Sequence, residues 1–174
     1  ITLVGSLPLG VVVALARMSK FKPLAWLAQL YISILRGTPL MLQLMAIMFG
    51  PYYLFGLNMG SDWKFWACAI GFILNYAAYF AEIFRSGIMS IDEGQFEAGR
   101  SLGFNYGQTM WHIVMPQAFK NVLPPLANEF ITLLKETSVS GYIGLMDLTK
   151  AGDIIRSRTF AAFMPLIAVA LVYL

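Results

Sequence analysis

The sequence predicts an all-α membrane protein with five transmembrane helices. Of its 174 residues, 59% are hydrophobic and only 12% are charged, and the mean hydropathy is +0.70. A soluble domain is nearer half apolar and about a quarter charged. The net charge of +3 comes from scattered basic residues and gives no indication of nucleic-acid binding. A single cysteine, Cys68, excludes an internal disulfide framework, and its apolar surroundings predict a small buried residue.

The predicted elements follow from the lengths of the apolar runs. A membrane span needs about 20 mainly apolar residues. Residues 24–35 are expected to form an interfacial helix or the beginning of a tilted span, and 58–62 a polar turn. The polar connections are 85–112 and 135–158. The predicted spans are 1–16, 39–57, 63–84, 113–134 and 159–174, of which the first and last are expected to be cut short.

A basic cluster after the first span suggests the orientation. Arg17, Lys20 and Lys22 are typical of a cytoplasmic loop. Alternation of the spans then places the first terminus outside and the connection 85–112 in the cytoplasm. Lys and Arg counts over all the loops support this orientation only weakly.

The connection 85–112 carries signals for two short helices. Ser90 and Glu93 fit a capping box, which predicts a helix beginning after Ser90. Gly103 is expected to end it, and Asn105 to Gln108 to cap a second short helix. Pro116 fits the first turn of the next helix. The pattern leaves two interpretations open, an ordinary amphipathic connector or a surface on which another protein docks.

This segment resembles the EAA loop of permease subunits in ATP-binding-cassette (ABC) importers. The family pattern is E-A-A, three residues, G, nine residues, I, one residue, L-P. The spacing is the same here, although Gly99 replaces the second Ala and Met115 replaces Leu. We interpret both replacements as mild. The residues that match the pattern are Glu97, Ala98, Gly99, Gly103, Ile113 and Pro116.

Further motifs resemble the branch of the family that carries histidine, glutamine, arginine and glutamate. They include RGTPL at 36–40, NYAAYFAEIFR at 75–85, PQAF at 116–119, LKETS at 134–138 and DLT at 147–149. The resemblance covers nearly the whole chain. It implies one permease domain over 1–174 with the MetI-like fold, and a cytoplasmic EAA coupling loop at 90–116.

The resemblance also implies the partners and the mechanism. The chain would be a multi-pass protein of the bacterial cytoplasmic (inner) membrane. It would work by alternating access with two ABC ATPase subunits, a second permease copy or a related permease, and an extracytoplasmic amino-acid-binding protein. The ATPase subunits would use ATP and Mg²⁺, and no cofactor would be bound by this chain.

Polar residues within spans are candidates for substrate contacts because their burial in lipid is costly. Asn75, Tyr79 and Glu82 share one helical face, and Thr132 and Glu136 share another. Glu82 or Glu136 would accept the ammonium group of an amino acid. Asn75, a backbone N–H, or the residues Thr137 and Ser138 would bind its carboxylate.

The opposing interpretation is structural, with hydrogen bonds between helices and charges that pair with each other. Lys135 would then pair with Glu129 or Glu136. His112, the single histidine, is expected to be a polar loop residue, and the sequence predicts no metal site.

The chain has no nucleotide-binding, serine-hydrolase or zinc-protease motif. No catalytic residue is predicted, and the chain is not expected to be an enzyme by itself. Two alternatives remain open from the residues, a secondary transporter driven by an ion gradient and a membrane scaffold that transports nothing.

Overall fold

The computed structural model describes residues 1–60, 62–161 and 163–174, and in these ranges it is helical without strands. Position 61, in the predicted turn, and position 162, in the predicted last span, lie outside the described residues. The helices are α1 (Thr2–Arg17), α2 (Lys22–Gly37), α3 (Leu40–Phe55), α4 (Trp63–Met89), α5 (Glu93–Ser101), α6 (Tyr106–Thr109), a π-helix (Met110–Val114), α7 (Met115–Glu136), a 3₁₀-helix (Thr137–Ile143), α8 (Leu148–Thr159) and α9 (Met164–Tyr173).

The central element is α4, the helix of the predicted third span. By length and composition α4 can cross a membrane alone, and α2 with α3 would form a second crossing if that bent pair is one span. Helices α1 and α9 are apolar but shorter, at 16 and 10 residues. Helix α7 has 22 residues but carries several charged side chains. The structure therefore confirms an all-helical fold, while five crossings remain a prediction.

Helix α1 packs closely along α4 through glycines. A Cβ atom on Gly5 would stand 2.8 Å from the side chain of Ile73, and one on Gly10 would stand 2.8 Å from that of Phe80. The contacts advance along both helices together, so α1 and α4 run in the same direction. Small residues allow this close approach, as is common between membrane helices.

Helix α2 returns along the same surface of α4. Ile32 is buried in a cluster with Ala14, Ala78 and Ala81, and the hydroxyl of Tyr31 donates to Leu74 O at 2.6 Å. The chain then turns through 107° into α3. The segment predicted as an interfacial helix or a tilted span is thus the first arm of a broken helix.

The main core lies around α4, where Cys68, Phe72, Tyr76 and Phe80 are buried with Leu44 of α3 and with Leu133 and Ile143. The buried position of Cys68 is as predicted. The polar connection predicted at 135–158 is largely helical, because it contains the 3₁₀-helix and α8.

Candidate functional site

The loop between α4 and α7 begins differently from the sequence prediction. Ser90 does not cap α5, because it ends α4 and its hydroxyl donates to Gly87 O at 2.8 Å. Asp92 is the N-cap instead, and its Oδ1 accepts from the Gly94 N–H at 2.7 Å. The predicted capping box of Ser90 and Glu93 is therefore wrong, although Glu93 lies in the first turn, where its charge suits the helix dipole.

The end of α5 is as predicted at Gly103. The N–H of Gly103 donates to Arg100 O at 2.9 Å, and the N–H of Phe104 donates to Gly99 O at 3.0 Å. This pair of bonds is a Schellman motif, which satisfies carbonyls left free at a helix end. Gly103 has φ +79°, and no atom lies within 4 Å of the place where its Cβ would be. Backbone conformation, and not space, therefore requires glycine here.

The second helix of the loop begins with the predicted cap. Asn105 Oδ1 accepts from the Gln108 N–H, and Gln108 Oε1 accepts from the Asn105 N–H, both at 2.9 Å. The helix does not stand apart from the next one, however. Helix α6 continues through the π-helix into α7, with Pro116 in the first turn of α7. The two predicted helices of the loop are thus α5 and the first turns of one continuous helical segment.

Helices α5 and α6 pack against each other at Gly99. This glycine is buried, and a Cβ on it would stand 2.5 Å from Thr109 Oγ1 and 2.6 Å from Thr109 Cγ2. The Thr109 hydroxyl is also buried, without a hydrogen-bond partner in the described part of the chain. Stacking of Phe96 on Tyr106, with centroids 6.1 Å apart, supports the same contact. Gly99 is therefore a packing requirement, which the sequence pattern had not indicated.

The loop is also attached to α7, the helix that follows it. Gln117 of α7 donates to Gln95 Oε1 of α5 at 3.0 Å, and Asn121 donates to Ser90 Oγ at 2.9 Å. His112 is an exposed loop residue whose Nδ1 lies 3.0 Å from Gln108 O, as predicted for a polar loop position. Four large apolar side chains of the loop remain exposed: Leu102, Phe104, Tyr106 and Trp111.

The predicted substrate residue Asn75 is already engaged by protein groups. Its Nδ2 donates to Leu35 O at 3.0 Å and to Gln43 Oε1 at 2.9 Å. Gln43 Nε2 donates in turn to Leu35 O at 2.9 Å, Thr38 O at 3.0 Å and Thr38 Oγ1 at 2.7 Å. Asn75 is 3% exposed, so its amide serves the bend between α2 and α3.

Tyr79 and Glu82 lie near each other but have different partners. The guanidinium of Arg36 lies over the Tyr79 ring, 5.2 Å from its centroid. Glu82 forms an ion pair with Arg85 on the same helix. Its negative charge is therefore already compensated.

Glu136 contacts the face of α4 on which Tyr79 lies. Tyr76 donates its hydroxyl hydrogen to Glu136 Oε2 at 2.8 Å, and the Tyr76 and Tyr79 rings are 6.1 Å apart. Within the described ranges, the alternative pairing of Lys135 with Glu129 or Glu136 is not formed. Tyr76, Arg36 and Gln43 complete this polar region, and sequence spacing alone did not single them out.

The three candidate hydroxyl groups, those of Thr132, Thr137 and Ser138, do not come together at one place. Thr132 donates to Asn128 O at 3.0 Å, and Thr137 donates to Leu134 O at 2.6 Å. Ser138 lies at another small cavity, together with Asp147 and Asp153. In the part of the chain that the structure describes, no group of three or more His, Cys, Asp or Glu residues could hold a metal ion.

Comparison with known proteins classifies the chain. Residues 6–174 match the family described as binding-protein-dependent transport system inner membrane component. The chain belongs to this family. It is thus a permease component of an importer, and the predicted family and MetI-like fold are confirmed.

Named relatives of this permease cover most of its length. The arginine transport system permease protein ArtQ of Bacillus subtilis (strain 168) is 44% identical over 165 residues, which are 95% of this chain and 74% of ArtQ. The probable glutamine ABC transporter permease protein GlnM of the same organism is 42% identical over 174 residues, which are 100% of this chain and 79% of GlnM.

Solved structures show the same fold as this permease. The crystal structure of an amino acid ABC transporter with histidines has a TM-score of 0.89 and 42% identity, covering 99% of this chain and 78% of that one. An inward-facing MetNI methionine ABC transporter has a TM-score of 0.68 and 18% identity, covering 99% of this chain and 81% of that one. The latter supports the fold alone.

The family motif of this permease lies across both helices of the loop. Glu97 and Ala98 are exposed on α5, and Gly99 faces Thr109. Ile113 is half-buried in the π-helix, and the exposed Pro116 lies in the first turn of α7. The motif residues thus serve two purposes, because Gly99 and Gly103 shape the loop while Glu97 and Ala98 face outward.

Proposed function

We propose that this permease imports a polar amino acid and that residues 90–116 form the site where a separate ATPase subunit docks. The observation that carries the proposal is the geometry of the loop. Its two helices are fixed to each other at Gly99 and Gly103, a hydrogen bond attaches α5 to α7, and another joins α7 to Ser90 at the end of α4. Such a loop can transmit a displacement because few of its parts are free to absorb it.

The outer surface of the loop supports a protein partner. Leu102 and Trp111 are each 71% exposed, and Glu97 and Arg100 add charges beside them. Aromatic and apolar side chains with charged neighbours are common at protein interfaces. The matching spacing of the EAA motif favours an ATPase as the partner.

The energy source in this proposal is ATP with Mg²⁺ bound by the partner subunits and not by this chain. A binding protein delivers the amino acid on the outer side, and a second permease copy or a related permease completes the pathway. ATP binding must stabilise one loop arrangement over another, since a ligand shifts a conformational equilibrium only through differential contacts.

Substitution of Gly103 tests the docking proposal. Gly103→Ala should cost about 1–2 kcal/mol because alanine is disfavoured in the left-handed region. We expect the loop to lose its docked geometry, with less ATPase co-purifying with the permease and slower uptake. Gly103→Asn should retain more of both activities, because asparagine tolerates a positive φ better. Pull-down of the ATPase and uptake in vesicles measure the two effects.

Gly60→Ala is the matched control. A Cβ at Gly60 also meets no atom within 4 Å, but the backbone there does not have a positive φ. If Gly103→Ala and Gly60→Ala both leave ATPase binding and uptake unchanged, docking at this loop is wrong. Uptake that persists without any ATPase but requires an ion gradient would favour a secondary transporter.

For the substrate site we propose Glu136 as the acceptor of the ammonium group. Its carboxylate is half-buried, and Tyr76 holds Oε2 while Oε1 has no hydrogen-bond partner within the described residues. Tyr79, Thr132, Thr137 and Ser138 remain candidate contacts around it. Glu82 and Asn75 are weaker candidates because Arg85, Leu35 and Gln43 already engage them.

Uptake competition with each amino acid, in the wild type and in Glu136→Gln, tests this site. The variant keeps a hydrogen-bond acceptor for Tyr76 but removes the negative charge. We expect KM for the transported amino acid to rise about 10-fold or more, which corresponds to ~1.4 kcal/mol, while ATPase co-purification stays unchanged. Glu93→Gln in the first turn of α5 removes the same charge outside the proposed substrate site and is the charge-matched control for KM. An unchanged KM in Glu136→Gln would exclude Glu136 as the acceptor.

A further inference from the structure

A polar cavity of about 230 Å³ lies between α1, α2 and α4 and contains an excess of positive charge. Arg17, Arg36 and Arg85 each contribute a guanidinium to its wall, and Glu82 contributes the one carboxylate. Glu82 pairs with Arg85, and no carboxylate lies within 4 Å of the Arg17 or Arg36 guanidinium among the described residues, so the cavity carries net positive charge. The remaining lining residues are Gln29, Ile32 and Ser33.

One end of this cavity lies at the expected depth of lipid headgroups. Arg17 is the last residue of α1, and Arg85 lies four residues before the end of α4. Because the two helices are parallel, both residues lie on the same side of the membrane. At the α-helical rise, α4 is about 40 Å long, whereas the hydrocarbon core is about 30 Å thick. The last turn of α4 therefore extends into the headgroup region.

Arg36 extends the cavity toward the middle of α4. Its guanidinium lies over the Tyr79 ring, and its N–H groups form no hydrogen bond within the described residues. A guanidinium presents these donors in a planar fork that matches two oxygens of a phosphate. Gln29 and Ser33 add neutral donors on the neighbouring turns of α2. The wall is thus suited to an anion with several oxygens.

We propose that this cavity binds the phosphate of an anionic phospholipid headgroup. Basic pockets between helices at the cytoplasmic side of a membrane are suited to such headgroups. Helix α2, which lines the cavity with Gln29 and Ser33, also exposes Trp26 and Leu30, to which acyl chains can pack. Free phosphate offers the same oxygens but lacks this apolar contact.

Native mass spectrometry of the full-length transporter complex, released from nanodiscs with equal amounts of phosphatidylglycerol and phosphatidylcholine, tests the proposal. The wild type should retain phosphatidylglycerol preferentially. Retention should fall roughly fivefold for each guanidinium removed, and ~25-fold in the double variant Arg17→Gln with Arg36→Gln. Lysine at both positions should preserve most of the retention, because the charge remains. Phosphatidylglycerol retained no better than phosphatidylcholine would overturn the proposal.

Arg156→Gln with Arg158→Gln is the charge-matched control, since both arginines lie in α8 outside the cavity. This control should bind phosphatidylglycerol as the wild type does, and an equal loss in both double variants would mean that net charge alone attracts the lipid. If excess inorganic phosphate displaces phosphatidylglycerol completely, the site binds free phosphate and the lipid assignment is wrong. Should the cavity double variant not fold, Arg17→Gln alone must still show the fivefold loss.

Discussion

At the scale of single residues, two glycines of the loop are required for different physical reasons. Gly103 has open space around it but a positive φ, so its requirement is conformational. Gly99 lies inside a regular helix, but the Thr109 side chain occupies the place of a Cβ. The family pattern has Ala at the position of Gly99, whereas in this chain the Thr109 side chain occupies the space that an alanine methyl group would need.

Gly99→Ala should therefore be destabilising despite its better helix propensity. Inserting a methyl group into a tight contact costs about 1–3 kcal/mol, which exceeds the ~1 kcal/mol that alanine gains over glycine in a helix. Thermal unfolding of the detergent-solubilised protein measures the loss. The double variant Gly99→Ala with Thr109→Ala should recover most of the stability, because the two closest atoms are then absent. Additive losses in the double variant would contradict this account.

At the scale of elements, the bend between α2 and α3 depends on side-chain amides. A helix that stops inside a membrane leaves carbonyls without partners. Asn75 and Gln43 supply donors to Leu35 O, and Gln43 also reaches Thr38. The sequence interpretation made Asn75 a substrate contact, whereas the structure gives it a second purpose that fixes the broken helix.

Asn75→Leu distinguishes these two purposes. Loss of a buried hydrogen-bonded partner should cost about 1–3 kcal/mol. The loss should not add to that of Gln43→Leu, because both residues belong to one network. A double-mutant cycle of unfolding free energies checks this expectation. An Asn75→Leu protein of unchanged stability but raised KM for the amino acid would instead support direct substrate binding.

The local features of the loop, its helix end and its helix cap, could be predicted from the sequence. Gly103 and the Asn105–Gln108 cap depend on residues within five positions of each other, so their pattern is visible in the chain. The cap at Ser90 was wrong because α4 continues to Met89 and its end engages the Ser90 hydroxyl. The choice between Ser90 and Asp92 depends on where the preceding helix stops, and periodicity does not fix that residue.

Contacts between distant segments could not be predicted. The bond between Asn75 and Gln43 joins positions 32 residues apart, and that between Tyr76 and Glu136 joins positions 60 residues apart. Spacing on one helix gives candidate faces but not their rotation toward another helix. For this reason the sequence identified Tyr79 and Glu136 but passed over Tyr76, which lies between them.

At the scale of the whole molecule, α4 connects the three regions discussed above. Its middle carries the amide network and Tyr76, which binds Glu136, and its last turns carry Arg85 and lead into the loop. The parallel packing with α1 brings Arg17 to the same end as Arg85. The proposed lipid site therefore adjoins the ATPase-docking loop. Both proposals can be tested on the same purified transporter complex.

The uninterrupted path from α6 through the π-helix to α7 has a mechanical consequence. Tyr106 and Glu136 stand at its two ends, about 45 Å apart along the helix at the α-helical rise. If the segment moved as one rigid rod, without bending at the π-helix or at Pro124 and Pro125, a tilt of about 5° at one end would move its other end by about 4 Å, more than the length of a hydrogen bond. A small rotation imposed at the loop would thus be magnified into a separation of Tyr76 from Glu136.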